Sequence, residues 1–238
     1  MKKLFTIAIF FSMVISLQSQ ELSEILENYY EINGQESLSA METRTVTGRI
    51  FQMGSEFSFV QTSKRPNLFR LEADIMGQKF IQAFNGTEGW MVAPFMGTTD
   101  PQDIPVDQLK SIKREADFDG LLYNYEEKGI DLAFEGIEDL EGSDVYKIKA
   151  TYDDGDESFI FIDLETYVIL KTEAKISMMG TEAMTETFLS NYKMIDGTAI
   201  AFSIETKVNG QVQSQINIDS VEYGKEVDNS IFERPVKE

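Results

Sequence analysis

From Thr45 onward the side chains of this chain change character at every second residue. Val46, Gly48 and Ile50 alternate with Thr45, Thr47, Arg49 and Phe51, and the runs "EFSFVQTS", "NLFRLEAD" and "KFIQAFN" follow, parted by short polar or glycine-containing turns. A period of two turns successive side chains to opposite faces of a pleated strand, and short turns between such strands make neighbours antiparallel. The pattern breaks at "APFMGTTDPQDIPVDQLKSIKREADFDGLLYNYEEKG" and resumes in "DVYKIKATYDDGDESFIFIDLETYVILKTEAKISMMG", "EAMTETFLSNYKMID", "TAIAFSIETKVNG" and "QVQSQINIDSVEYG". One large antiparallel meander with a single interruption is therefore expected.

Two stretches read as helix. Leu22, Ile25, Leu26 and Tyr29 recur at helical spacing before Asn33-Gly34, which predicts an amphipathic helix over 22–33 and a short second one over Glu36 to Met41. Inside the interruption, Pro105 suits a first helical turn, Val106, Leu109 and Ile112 share one face, and a further helical turn is expected around Leu121, Leu122 and Tyr125. Helix, strands, helical interruption and strands, in that order, predict a mainly β (α+β) domain. Its large twisted sheet would curl and be covered on one side by helices, enclosing a cavity.

The first twenty residues, "MKKLFTIAIFFSMVISLQSQ", place Lys2 and Lys3 before an apolar core from Leu4 to Phe11 and end in polar residues, the layout of a secretory signal peptide. Cleavage after residue 20 leaves 218 of the 238 residues, a length suited to one domain over 21–238. There is no cysteine, so neither a disulfide nor a lipid-bearing cysteine is available as a membrane anchor. The expected location is the periplasm, in soluble form. The net charge of −20 becomes −22 without the two leader lysines, which argues against nucleic acid as a partner.

Chemistry is thinly represented. The chain has no histidine, which removes histidine-based triads, proton shuttles and the usual zinc sites. No metal, cofactor or catalytic residue is expected, and the chain is not read as an enzyme. "DDGDE", Asp153 to Glu157, lacks the spacing of a calcium loop and reads first as a hairpin turn between strands. "NGT", Asn85 to Thr87, matches a glycosylation acceptor but is likewise first a turn. The basic run "KSIKR", Lys110 to Arg114, reads as the solvated face of the covering helix, with an acidic partner as the alternative. More informative are the phenylalanines and methionines near "WMVAPFMG" and "ISMMG", because flexible, polarizable side chains suit a surface that repacks around apolar ligands.

With these residues in view, "KRPNLF" followed by "FNGTEGWMVAPF" resembles the periplasmic lipoprotein carriers of the LolA type. Arg65, Pro66 and Phe69 match that family's [K/R]-R-P-x-x-F strand start. Asn85, Gly86, Trp90 and Pro94 match its D/N-G-x-x-x-W-x-x-x-P hairpin, and "SIFERP", Ser230 to Pro235, its closing F-x-x-P segment. The resemblance implies an unclosed antiparallel β-barrel with a helical lid over an apolar cavity that receives the acyl chains of lipoproteins or another lipid. An inner-membrane donor and an outer-membrane acceptor would be its partners. It further implies that Arg65 is the latch tying the lid down by hydrogen bonds in the empty form. Lining side chains are expected among Phe57, Phe59, Phe69, Leu71, Phe80 and Phe84 on the first strands, Trp90, Met91, Phe95 and Met96 in and after the hairpin, and Met178 and Phe188 in the second meander. The competing expectation is a non-catalytic envelope interaction module with the same fold, a solid core and no lipid cargo.

Overall fold

The computed structural model describes residues 20–52, 54–178 and 181–235. Apart from Gln20, the leader expected at the N-terminus lies outside the described residues. Helix α1 covers 20–33, and its Leu22, Ile25 and Leu26 are buried, as their spacing predicts. The second helix, α2, is Gln35–Ser39, one turn set off by Gly34 at φ 71°. A side chain on Gly34 would have its Cβ 1.8 Å from the Gly197 carbonyl oxygen, so only glycine lets the helical pair sit this close to the sheet.

Strands β1 (Thr43–Gln52), β2 (Ser55–Lys64), β3 (Leu68–Ile75), β4 (Gln78–Phe84), β5 (Gly89–Ala93) and β6 (Thr98–Asp103) form the first meander. After helix α3 (Val106–Glu115) come β7 (Ile130–Leu140), β8 (Ser143–Tyr152), β9 (Glu157–Asp163), β10 (Ile169–Met178), β11 (Thr181–Ile195), β12 (Thr198–Val208) and β13 (Gln211–Tyr223). Pairing of β1 with β13 joins the two meanders into one 13-stranded sheet in the order β6-β5-β4-β3-β2-β1-β13-β12-β11-β10-β9-β8-β7. All pairings are antiparallel, and β6 and β7 are the edges of an unclosed sheet.

The sheet must be strongly curled, because α3 touches both of its halves. Leu109, Ile112 and Ala116 pack with Phe69 and Phe84 of β3 and β4, while Lys110 and Arg114 pair with Asp154 and Asp156 between β8 and β9. On a flat sheet those strands would lie roughly 40 Å apart at about 4.8 Å per strand, whereas a ten-residue helix spans about 15 Å. Curling brings the two ends together, with α1 on β7–β9 and α3 on β3–β5 along the same inner face.

The interruption departs from expectation in three places. "TTDPQD" is edge strand β6, where Pro101 is tolerated because an edge strand need not pair on both sides. The segment around Leu121, Leu122 and Tyr125 is a series of turns, broken by Gly120 at φ 78° and Asn124 at φ 50°, rather than a helix. Val106 is 82% exposed, so the packing face of α3 begins one turn later, at Leu109. Pro66 lies in the β2–β3 turn, after a cis peptide from Arg65, and not at a strand start.

Candidate functional site

The register assembles an apolar inner surface from the middle strands. Across β1 and β2, Ile50 faces Phe57 and Gly48 faces Phe59, across β2 and β3 Phe59 faces Ala73, and across β3 and β4 Ala73 faces Phe80 and Phe69 faces Phe84. Leu71 and Met91 share that face, opposite Gln82 from either side. Gly48 has a steric reason to be glycine: a Cβ there would meet the Phe59 ring at 2.8 Å and the Asn217 carbonyl oxygen at 2.4 Å. The surface continues through Ile216, Ile218 and Val221 of β13 to Ile200 and Phe202 of β12. Val46, Phe59, Ala73, Phe202 and Val221 are buried, whereas Ile50, Leu71, Ile75, Phe80 and Ile216 around them are half-buried. The result is an apolar strip running between α3 and α1.

Other residues expected at a cavity sit elsewhere. Phe95 is 43% exposed with its ring 6.0 Å from Phe80, and Met96 is 66% exposed, so both occupy the rim at the β5–β6 turn. The side chain of Met178 lies outside the described residues. Trp90 pairs with Ala83, one residue out of phase with Phe84, and so lies on the outer face. There the "SIFERP" segment covers it: its indole donates to the Phe232 carbonyl at 2.9 Å, and Phe232 is fully buried. Arg70 donates to the Ile231 carbonyl at 2.6 Å and lies 5.6 Å from the Trp90 ring. Phe188 is also on the outer face, since it pairs with Lys171 and Glu205 while its neighbour Leu189 pairs with Ile204 on the inner one. The ammonium groups of Lys171 and Lys207 lie 5.2 and 4.3 Å from its ring.

Two polar connections hold the helices on either side of the strip. In the first, Arg65 Nε donates to the Met41 carbonyl at 2.7 Å and Nη2 to the Leu38 carbonyl at 3.0 Å, both at the C-terminal end of α2. Its Nη1 and Nη2 also grip both oxygens of Asp119 at 2.5 and 2.6 Å, just beyond α3. Gln35 donates to the same carboxylate at 3.3 Å, and the Tyr30 hydroxyl to the Leu122 carbonyl at 2.6 Å. The Arg65 hydrogen bonds hold the Asp119 carboxyl below the usual range against the opposing effect of burial, and Asp119 in turn raises the Arg65 pKa. The planar, five-donor guanidinium is suited to satisfying carbonyls and a carboxylate at once.

In the second, the run "KSIKR" meets the "DDGDE" turn. Lys110 lies 2.8 Å from Asp154, Arg114 lies 2.7 Å from Asp156, and the Arg114 guanidinium stacks on the Tyr152 ring at 3.7 Å. Hydrogen bonding from Lys110 holds the Asp154 carboxyl low. The two stretches that stand out by charge are thus each other's partners, and Asp153–Glu157 is a hairpin turn with Gly155 at φ 84°. Among the described residues no group of acidic side chains is arranged to hold a metal ion. Concave pockets of about 320 and 220 Å³ flank α1, the first against Leu26, Tyr30 and Tyr125 and the second against Ile25, Phe134 and Tyr146. Neither was expected from the sequence, although the helical spacing of α1 already marked Leu26 and Ile25.

No protein-family model matches the chain, and no curated protein matches it in sequence. Solved structures do match in shape. A DUF1329 family protein from Desulfovibrio piger superposes with a TM-score of 0.61 at 14% identity, covering 87% of this chain and 96% of that one. A LolA superfamily protein from Nitrosomonas europaea gives 0.61 at 13% identity, over 89% and 96%. A domain described as an outer membrane lipoprotein-sorting protein, from Vibrio parahaemolyticus, gives 0.58 at 14% identity, over 87% and 95%. The fold is LolA-like: a mainly β, unclosed antiparallel sheet with few helices.

Proposed function

We propose that the protein is a periplasmic carrier that takes up the acyl chains of a lipid or lipoprotein on the inner apolar strip, beneath helices that open and close. The observation that carries this reading is the juxtaposition of that half-buried strip with helices tied across it by polar, breakable contacts. The lipoprotein-sorting domain among the fold neighbours supports it. Among the described residues no helix is long and apolar enough to cross a membrane, which accords with a carrier that moves between membranes.

The energetics suit reversible carriage. Burying a methylene contributes about 0.8 kcal/mol, so a sixteen-carbon chain gains on the order of 10 kcal/mol by leaving water. Charge-assisted hydrogen bonds contribute about 1.5 to 3 kcal/mol each, and the Arg65 set is a handful of them. The two are of comparable size, so a bound chain can displace the latch, and closure returns enough to weaken binding and permit release. Arg65 is the latch in this reading, and Phe57, Phe59, Phe69, Leu71, Phe80, Phe84 and Met91 floor the site. Donor and acceptor membranes follow from the carrier role.

The interaction-module reading finds less support, because Lys110 and Arg114 of the "KSIKR" patch are already engaged by Asp154 and Asp156. Native mass spectrometry of protein recovered from the periplasm tests the proposal, together with titration of a fluorescent fatty-acid probe. An acylated ligand that dissociates on denaturation, and saturable probe binding, are expected. A protein that carries no lipid and binds no probe refutes the carrier.

A further inference from the structure

Toward the Arg65 end of the inner face the apolar strip gives way to polar side chains. The register sets Ser63 of β2, Arg44 of β1 and Tyr223 of β13 side by side, and Thr198, at the start of β12, acts directly on the Tyr223 hydroxyl. Arg44 Nε, Ser63 Oγ, Thr198 Oγ1 and Tyr223 OH are all shielded from solvent and none makes a well-aligned hydrogen bond, although Arg44 and Thr198 both lie close enough to the Tyr223 hydroxyl to counter the rise that burial gives its pKa. Ser63 is 1% and Thr198 3% exposed. A buried polar atom without a partner is costly, and folded proteins tolerate few. Here four of the five such side-chain atoms among the described residues fall in one cluster.

Phe118, 2% exposed, lies 5.1 Å from the Arg44 guanidinium and 4.6 Å from that of Arg65. Arg65 has Asp119 as its counter-ion, whereas Arg44 forms no ion pair with a described residue; Glu115 and Asp119 feel its field without pairing to it. Arg44 as a whole is half-buried, and an anion reaching its shielded Nε would give that nitrogen a partner. Two residues along β1 from Arg44 is Val46, which pairs with Val221 and packs with Phe59 and Phe202. Polar cluster and apolar strip are thus continuous.

We propose that Arg44, Ser63, Thr198 and Tyr223 form a head-group site for the oxyanion, carboxylate or phosphate, of a single-chain amphiphile whose tail lies along the strip. This rests on the carrier reading and adds a polarity to it: the head enters toward the Arg65 end, beneath Phe118. One guanidinium donor and three hydroxyls supply enough hydrogen bonds for two or three oxygens.

Calorimetric titration of the purified protein with palmitate, 1-palmitoyl lysophosphatidic acid and methyl palmitate tests it. The strong negative charge of the chain disfavours anions in general, so preference for one is diagnostic. At least tenfold tighter binding of one anionic probe than of methyl palmitate is expected, and which anion wins distinguishes carboxylate from phosphate. Arg44→Met should reduce that preference to less than twofold while leaving methyl palmitate binding unchanged. Tyr223→Phe, which keeps the ring, should cut anion affinity three- to tenfold and serves if Arg44→Met fails to fold. Equal binding of anion and ester by the unmodified protein overturns the head-group site and leaves the carrier standing; no binding of any probe overturns both.

Discussion

Replacing Arg65 by leucine separates a latch from a merely structural arginine. The substitution removes the bonds to the Leu38 and Met41 carbonyls and both contacts to Asp119, a carboxylate only 17% exposed. Removing one partner of a buried ion pair costs about 3 to 5 kcal/mol. Since this pair is partly solvated, about 3 kcal/mol is a fair figure for the empty protein. For a domain of this size that is a fall in melting temperature of roughly 6 to 12 °C. If those contacts exist only in the closed state, the same free energy no longer opposes ligand. Affinity for a fluorescent fatty acid should then rise by up to roughly 100-fold, tenfold for every 1.4 kcal/mol, chiefly through slower release. The assay pairs a thermal melt of the ligand-free variant with stopped-flow release of the probe into lipid vesicles. A lower melting temperature with an unchanged release rate refutes the latch, because it means that the contacts persist in the loaded protein.

The same pair sets a pH dependence. Because the folded-state pKa of Asp119 is depressed, its stabilisation is complete above the ordinary aspartate value near 4 and is lost as pH falls through the lower folded value; the stability gap between wild type and Arg65→Leu in denaturant titrations should therefore narrow at acidic pH, to what the bonds to the Leu38 and Met41 carbonyls contribute, and stay constant from pH 5 to 8. The α3 clasp is surface electrostatics, so Lys110→Ala/Arg114→Ala should speed hydrogen exchange in 106–115, and 1 M salt should bring the wild type to the same rate. Phe232→Ala, at a fully buried position over Trp90, should cost about 3 to 5 kcal/mol in equilibrium unfolding without changing probe affinity. Trp90 is the single tryptophan and lies on the outer face, so its emission should hold steady when lipid binds; strong quenching on binding would contradict the face assignment.

The legible parts of this fold were those written in local periodicity. Alternation located β1–β4 and β8–β13 but not β5, β6 or the eleven-residue β7, and Leu22, Ile25 and Leu26 located α1, because burial of one face acts on residues two, three or four apart. Which face looks inward is a different matter. In β9, "FIFI" puts Phe159 and Phe161 on one side and Ile160 and Ile162 on the other, both apolar, and only the lysines spread over the phenyl rings mark the outer one. The same ambiguity misdirected Phe188, and Trp90 went astray because the tail that shields it comes more than a hundred residues later. Asp119 was unmarked since its partner is 54 residues away, across the interruption. Arg44 and Ser63 read as ordinary strand residues; that their polar atoms are buried together is visible only in the register.

The sheet stops short of closure, and that has a consequence for how the protein meets a second copy of itself. Edge strands β6 and β7 each offer a row of backbone groups to which a second copy could add its own edge, the first step toward fibrous aggregates. Both edges are built against it. β6 is six residues long and carries Pro101 between Asp100 and Asp103; β7 is interrupted by a bulge between Phe134 and Gly136 and bears Asp131, Glu135, Glu138 and Asp139. Two such edges brought together repel, and neither keeps a straight ladder long enough to template the other. An open sheet can thus keep two unpaired edges without inviting a second copy to extend it.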